Sequence, residues 1–114
     1  MAAPAPGVVV VVRFPFSGLS SSKFRPAVVL ASAGNSDWLL CQVTSNAWSD
    51  PEAIELPQSA FASGGLHGTG YARPGKVFTA HASLVSGHAG VLTAAAHLAV
   101  VEAVIRLLQR SFLA

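Results

Sequence analysis

At 114 residues the chain is one domain, long enough to bury a real core and too short for two. Hydrophobic residues make up 52% of it and charged ones 11%, so it carries more apolar surface than one small monomer hides, and a partner or self-association is expected. The net charge of +2 is too weak to argue for nucleic acid, the single cysteine excludes an internal disulfide, and the start M-A-A-P-A-P-G lacks the basic region of a signal peptide.

In chain order, 1–6 is expected to be a disordered lead-in and 8–14 a strand buried on both faces, since its valines run on without alternation. A Ser- and Gly-rich stretch holding Lys23 follows, and Arg25-Pro26 launches a second apolar strand over 26–32. Proline fixes its own φ and pushes the preceding residue away from helical geometry, so Arg25 is expected to be extended at the mouth of that strand. Ser20, Ser21 and Ser22 add hydroxyl donors beside the cations, and Gly18 lets backbone approach a ligand. The group suits a phosphate, and it equally suits a solvated turn.

The turn-rich segment at 33–37 returns the chain as an antiparallel strand over 38–44, which leaves Thr44, Ser45 and Asn46 at its end. Next come a loop at 47–51, a short strand at 52–56, one helical turn at 58–62 and a Gly-rich mobile loop at 63–70 that carries His67. Strands are expected at 76–84 and 87–92. Thr93 is a helix N-cap, and Leu98, Val101, Ile105, Leu108 and Phe112 then recur at three- and four-residue spacing, the face expected to pack on the sheet. Val100, Val104 and Leu107 widen that face. Residues 77–101 carry no Asp, Glu, Lys or Arg, yet His81, His88, His97 and two glycines make them a poor membrane span.

Charge is unevenly placed. Arg13, Lys23, Arg25, Arg73 and Lys76 fall in two blocks, whereas Asp37, Asp50, Glu52 and Glu55 lie between them, so a fold that joins the blocks creates a basic patch. Cys41 sits in W-L-L-C-Q-V, where a small buried hydrophobe is expected rather than a nucleophile. The remaining histidines show no metal-ligand spacing, so no metal or cofactor is expected.

The run F-P-F-S-G-L-S-S-S-K-F-R-P-A-V-V-L, then C-Q-V-T-S-N at 41–46 and Y-A-R-P-G-K-V-F-T at 71–79, resembles the MazF/PemK family of toxin endoribonucleases, the toxin halves of toxin–antitoxin pairs. The three blocks agree in order over nearly the whole chain. The resemblance implies a mainly β fold, an SH3-like barrel of about six strands with a C-terminal helix, which dimerises and cuts single-stranded RNA without metal; the cysteine usage leads to the expectation of a cytoplasmic protein. Arg25 and Thr44 match the family's catalytic pair, and Lys76 a substrate-contacting position. Lys23, Ser20, Ser22, Ser45, Asn46 and His67 complete the expected RNA-binding set.

In RNA cleavage the ribose 2′-hydroxyl attacks the adjacent phosphorus. The enzyme must therefore take a proton, stabilise the phosphorane and protonate the leaving 5′-oxygen. Arg25 serves the second task by electrostatic preorganisation. A guanidinium does not accept a proton readily, so the base is not selected by chemistry alone, and His67 is a candidate because histidine titrates in the useful range. Asn46 has an amide that can read a base edge.

Where the family commonly carries acids, this chain has Val8, Gly18, Gly75 and His81, which makes the groove more basic. A MazE-like antitoxin with a flexible acidic, hydrophobic tail is the expected inhibitor. It would lie over Lys23, Arg25, the 64–70 loop and Lys76, with Phe16, Trp48 and Leu66 as apolar anchors, and compete with RNA. A non-catalytic SH3-like module and a gyrase-directed toxin of the CcdB type are the rival classes, and the joint presence of Lys23, Arg25 and Thr44 favours the nuclease.

Overall fold

The computed structural model describes residues 4–14, 23–46 and 50–113. Strands β1 (Val8–Phe14), β2 (Lys23–Gly34), β3 (Asp37–Thr44), β4 (Ile54–Leu56), β5 (Phe61–Gly64), β6 (Gly70–His81) and β7 (Val85–Leu92) precede one helix, α1 (Ala94–Leu113). Short 3-10 turns stand at Gln58–Ala60 and Ala82–Leu84. The strands form one antiparallel sheet in the order β4-β6-β3-β2-β1-β7-β5, curled into a half-barrel. No helix among the described residues is long and apolar enough to cross a membrane.

The valine run behaves as its composition dictates. Val9 packs into one core cluster with Val28, Cys41, Val43, Leu56 and Val100, while Val8, Val10 and Val12 pack into another with Ala27, Val29 and Leu40. A strand with both faces covered has no need of polar alternation, and each fully buried valine contributes roughly 1.5–3 kcal/mol.

Proline shapes the two strands that matter most. β2 runs through Pro26, which pairs with Val11 of β1, but its ladder to β3 ends at Ala27. Pro26 has no hydrogen to give, and β2 loses its β3 neighbour next to it. In β6 the pairs with β3 jump from Ala72–Val43 to Val77–Cys41, so Arg73, Pro74, Gly75 and Lys76 stand against Gln42 alone. This excursion is why β6 begins at Gly70 and continues through a segment that reads locally as a break.

Two expectations need correction. The stretch from Ser63 is not all loop: β5 pairs with β7 there, which gives seven strands among the described residues. The helix also presents the opposite face from the one its most regular stripe suggests. Thr93 caps α1, its Oγ1 accepting from the Ala96 N–H at 3.1 Å. Val100 and Ala103 are then buried with Ala96 packed against the core, while Leu98, Ile105, Leu108 and Phe112 are 55%, 45%, 61% and 87% exposed. Ala96, Val100, Ala103 and Leu107 also recur at helical spacing. In a helix apolar on most sides the sheet selects the stripe of small residues that lets the backbone come close.

Candidate functional site

A cleft of about 740 Å³ opens at the end of the sheet where β2 enters and β3 leaves. One wall is Phe24, Arg25 and Pro26 of β2 with Val43, Thr44 and the following Ser45. The other is the glycine-rich segment, Gly64 to His67 with Thr69 and Gly70, backed by Gln58.

Arg25 and Thr44 come together through register. The β2–β3 pairs are Ala27–Gln42, Val28–Cys41 and Val29–Leu40. Continued two residues past Ala27, that register sets Arg25 across from Thr44, and alternation gives both side chains the same face of the sheet. Each is also fixed on its other side, Arg25 by Val12 and Thr44 by Tyr71. The Thr44 Oγ1 accepts from the Asn46 N–H and donates to the Asn46 carbonyl, both at 3.2 Å, so the turn leaving β3 orients the hydroxyl.

The facing wall is held differently. The Gln58 side-chain amide donates to the Gly64 carbonyl at 2.8 Å, tying the 3-10 turn to the start of the loop. His67 is exposed on that loop and lines the cleft. Apart from Arg25 it is the one ionisable side chain among the described lining residues.

Not every expected site residue is brought in. Arg25, Thr44, Ser45 and His67 share the cleft, whereas Lys76 lines a separate one and Lys23 and Asn46 are not among the lining residues. Lys23 pairs with Phe14 at the open end of β1 and β2, and Asn46 is exposed just past β3. Ser20 and Ser22 lie outside the described residues, as do Phe16 and Trp48. Sequence reading missed Phe24 and Gln58. Phe24 is 59% exposed beside Arg25, and the signal was its place in K-F-R-P, an aromatic ring between cations that offers a stacking surface. Nothing local marks Gln58, whose role comes from a partner six residues on.

Of the cations in the two blocks, Arg73 is committed elsewhere. Its Nε donates to the Asp50 carboxylate at 2.8 Å, and this bond holds the Asp50 carboxyl below its ordinary pKa. Arg110 reaches Glu52 at 2.6 Å, so the segment after Thr44 is tethered to both β6 and α1. No carboxylate lies within ion-pair distance of Arg25, Lys23 or Lys76 among the described residues. Cys41 is wholly buried, its S–H directed at the Arg73 carbonyl at 3.1 Å, and burial pushes its pKa to about 12. Such a thiol is a core hydrophobe, not a nucleophile. Among the described residues no three His, Cys, Asp or Glu side chains gather as metal ligands.

The fold recurs in solved structures. The MazE–MazF complex of Deinococcus radiodurans superposes with a TM-score of 0.74 at 24% identity, covering 94% of this chain and 97% of that one. An endoribonuclease in complex with its cognate antitoxin, from a Mycobacterial species, gives 0.70 at 17% identity with 95% of each chain covered. The Mycobacterium tuberculosis toxin MazF-mt6 gives 0.70 at 12% identity, covering 90% and 96%. No curated protein matches in sequence. The family described as PemK-like, MazF-like toxin of type II toxin-antitoxin system matches residues 5–108, nearly the whole chain, and the protein belongs to that family.

Proposed function

We propose that the protein is an endoribonuclease toxin that cuts single-stranded RNA by attack of the ribose 2′-hydroxyl on the adjacent phosphorus. The observation that supports this reading is a single cleft lined by Arg25, Thr44 and His67. Arg25, permanently charged, stabilises the negative charge that builds on the phosphorane. Thr44 offers an oriented hydroxyl to a non-bridging oxygen. Imidazole is the cleft's side-chain type able to exchange a proton near neutral pH, so His67 takes the 2′-hydroxyl proton or supplies one to the 5′-oxygen. Phe24 and Ser45 hold the adjoining nucleotide.

Two of the similar structures are complexes with an antitoxin, which supports a cognate antitoxin as this protein's inhibitor. Its acidic tail would compete with RNA for the cations beside Phe24 and Leu66. The exposed helix stripe supports a second copy as a further partner. From Leu98 to Phe112 it runs about 21 Å, and a twofold axis would pack it against itself. Light scattering should give a dimer mass at micromolar concentration, and Leu108→Lys should give a monomer.

The decisive test is cleavage of single-stranded RNA by purified protein in EDTA, beside the same RNA with deoxyribose at the cut. The ribose substrate should be cut and the deoxy substrate should resist. Equal cutting of both would reject the mechanism, and no cutting of either would favour a binding module or a toxin with another target.

A further inference from the structure

The row that holds Arg25 and Thr44 does not end at the cleft. Thr44 lies directly across from Tyr71 of β6, and Tyr71 lies directly across from Glu55 of β4, the strand at one edge of the sheet. Cross-strand partners point to one face, so a guanidinium, a hydroxyl, a phenol and a carboxylate follow one another across the sheet. We propose that Tyr71 and Glu55 form a base-reading site for a guanine beside the scissile phosphate, the ring carrying the base and the carboxylate accepting from its N1–H and N2–H groups. The proposal rests on the nuclease reading above and extends it to sequence preference, through two residues to which the family resemblance gives no part.

Strand spacing sets the reach. Neighbouring strands lie about 4.8 Å apart, so Tyr71 stands about 5 Å from Thr44 across the sheet and Glu55 about 10 Å. A nucleotide whose phosphate meets Arg25 and Thr44 can lay its base along Tyr71 with the outer edge toward Glu55. Backbone pairing fixes both side chains at their roots. Tyr71 is paired on both sides, with β3 and with β4, and Glu55 stands between Ile54 and Leu56, which pack into the core.

The chemistry of the pair selects the base. Tyr71 is half-buried and Glu55 exposed, and among the described residues neither the phenol nor the carboxylate has a hydrogen-bond or ion-pair partner. The two acids that precede Glu55 are both engaged, Asp50 with Arg73 and Glu52 with Arg110. A carboxylate left without a cation beside a site for a polyanion repels the phosphates, so its contribution is selection: it takes N–H donors alone. Guanine presents two adjacent donors on its Watson–Crick edge, one for each carboxylate oxygen, whereas cytosine and adenine present a single amino group there and uracil a single N–H. That edge is open in single-stranded RNA, and an aromatic ring accepts the face of the base. A charge on an edge strand also discourages strand addition, but that role carries no dependence on the base.

The test titrates full-length protein with fluorescent RNA hexanucleotides made uncleavable by one deoxyribose at the centre. Guanine, inosine or uracil is fixed on either side of it, and the remaining positions are random. Inosine lacks the N2 amino group and so removes one of the two donors. The wild type should bind guanine about tenfold more tightly than inosine at one of the two positions. Glu55→Gln should bring that ratio close to one and tighten binding of the uracil oligonucleotide about twofold, because the like charge is gone. Tyr71→Ala should weaken binding of every base about tenfold, and Tyr71→Phe, which keeps the ring, should restore it to within about twofold. Because Tyr71 is half-buried its variants are checked by thermal midpoint, and the exposed Glu55 carries the test if Tyr71→Ala fails to fold. Equal binding of guanine and inosine by the wild type at both positions, or binding of neither, would overturn the proposal. A Glu55→Gln protein that kept the guanine ratio would overturn it as well. If the ratio responds to Glu55→Gln as expected but the all-ribose RNA is not cut, the base site stands and the nuclease reading falls.

Discussion

Arg25 and Thr44 are held by strand pairing, each with a partner across the sheet, and behind them Val43, Cys41 and Val28 are fully or almost fully buried. His67, on the facing wall, hangs on a segment between Gly64 and Gly70 whose start is tied down by the Gln58 side chain. The first wall cannot move without breaking a ladder and exposing core. The second is anchored at its start by the β5–β7 pairing, the Gly65 N–H to the Ala89 carbonyl at 3.0 Å and the Gln58 amide, and only residues 66–69 lie between those anchors and β6. A cleft with one fixed wall and one short adjustable stretch can hold a phosphate geometry constant while admitting different bases, and a protein tail in their place.

The fixed wall should give the largest effect when its charge is removed. Arg25→Ala should lower the single-turnover rate by about two to three orders of magnitude with an unchanged thermal midpoint. A loss confined to KM would mean that Arg25 only binds. On the facing wall His67→Ala should cost about a hundredfold in the single-turnover rate. A rate unchanged in this variant would remove His67 from proton transfer.

Gln58→Ala tests the latch itself. A net hydrogen bond is worth about 0.5–1.5 kcal/mol, so rate or affinity should fall by up to about tenfold while hydrogen exchange at residues 64–68 rises. Exchange unchanged there would mean the loop is held by other contacts.

The smallest effect concerns the tether after Thr44. Asp50 has a lowered pKa in the folded protein, so its contribution to stability is complete above the ordinary carboxylate range and is lost as pH falls through the lowered value. Asp50→Asn should reduce stability at neutral pH and remove this part of the acid dependence, seen by thermal denaturation across pH. Glu52→Gln, in an exposed pair, should change stability by less than about 0.5 kcal/mol.

Much of this arrangement is legible residue by residue. The unbroken valines of β1 announce burial on two faces, Thr93 announces the helix start, and K-F-R-P beside V-T-S-N carries the family resemblance that singles out Arg25 and Thr44. By charge and place in the block Arg73 and Lys76 look alike, and the family resemblance alone sets Lys76 apart as a substrate contact. The β6 excursion sends one to Asp50 and the other to the second cleft.

The sequence by itself determined the local facts: where strands run, where proline ends a ladder, where the helix is capped, and that one small domain carries more apolar surface than it buries. These follow from backbone sterics, hydrogen-bonding capacity and periodicity, which act over a few residues. Long-range packing settles which helix stripe meets the sheet, which cation is neutralised, that His67 and Arg25 line one cleft, and that Lys76 lines a second. Each of those depends on strand register and close packing between distant segments, and a composition that suits several pairings is resolved only by the one arrangement that buries the small residues of α1 against the sheet.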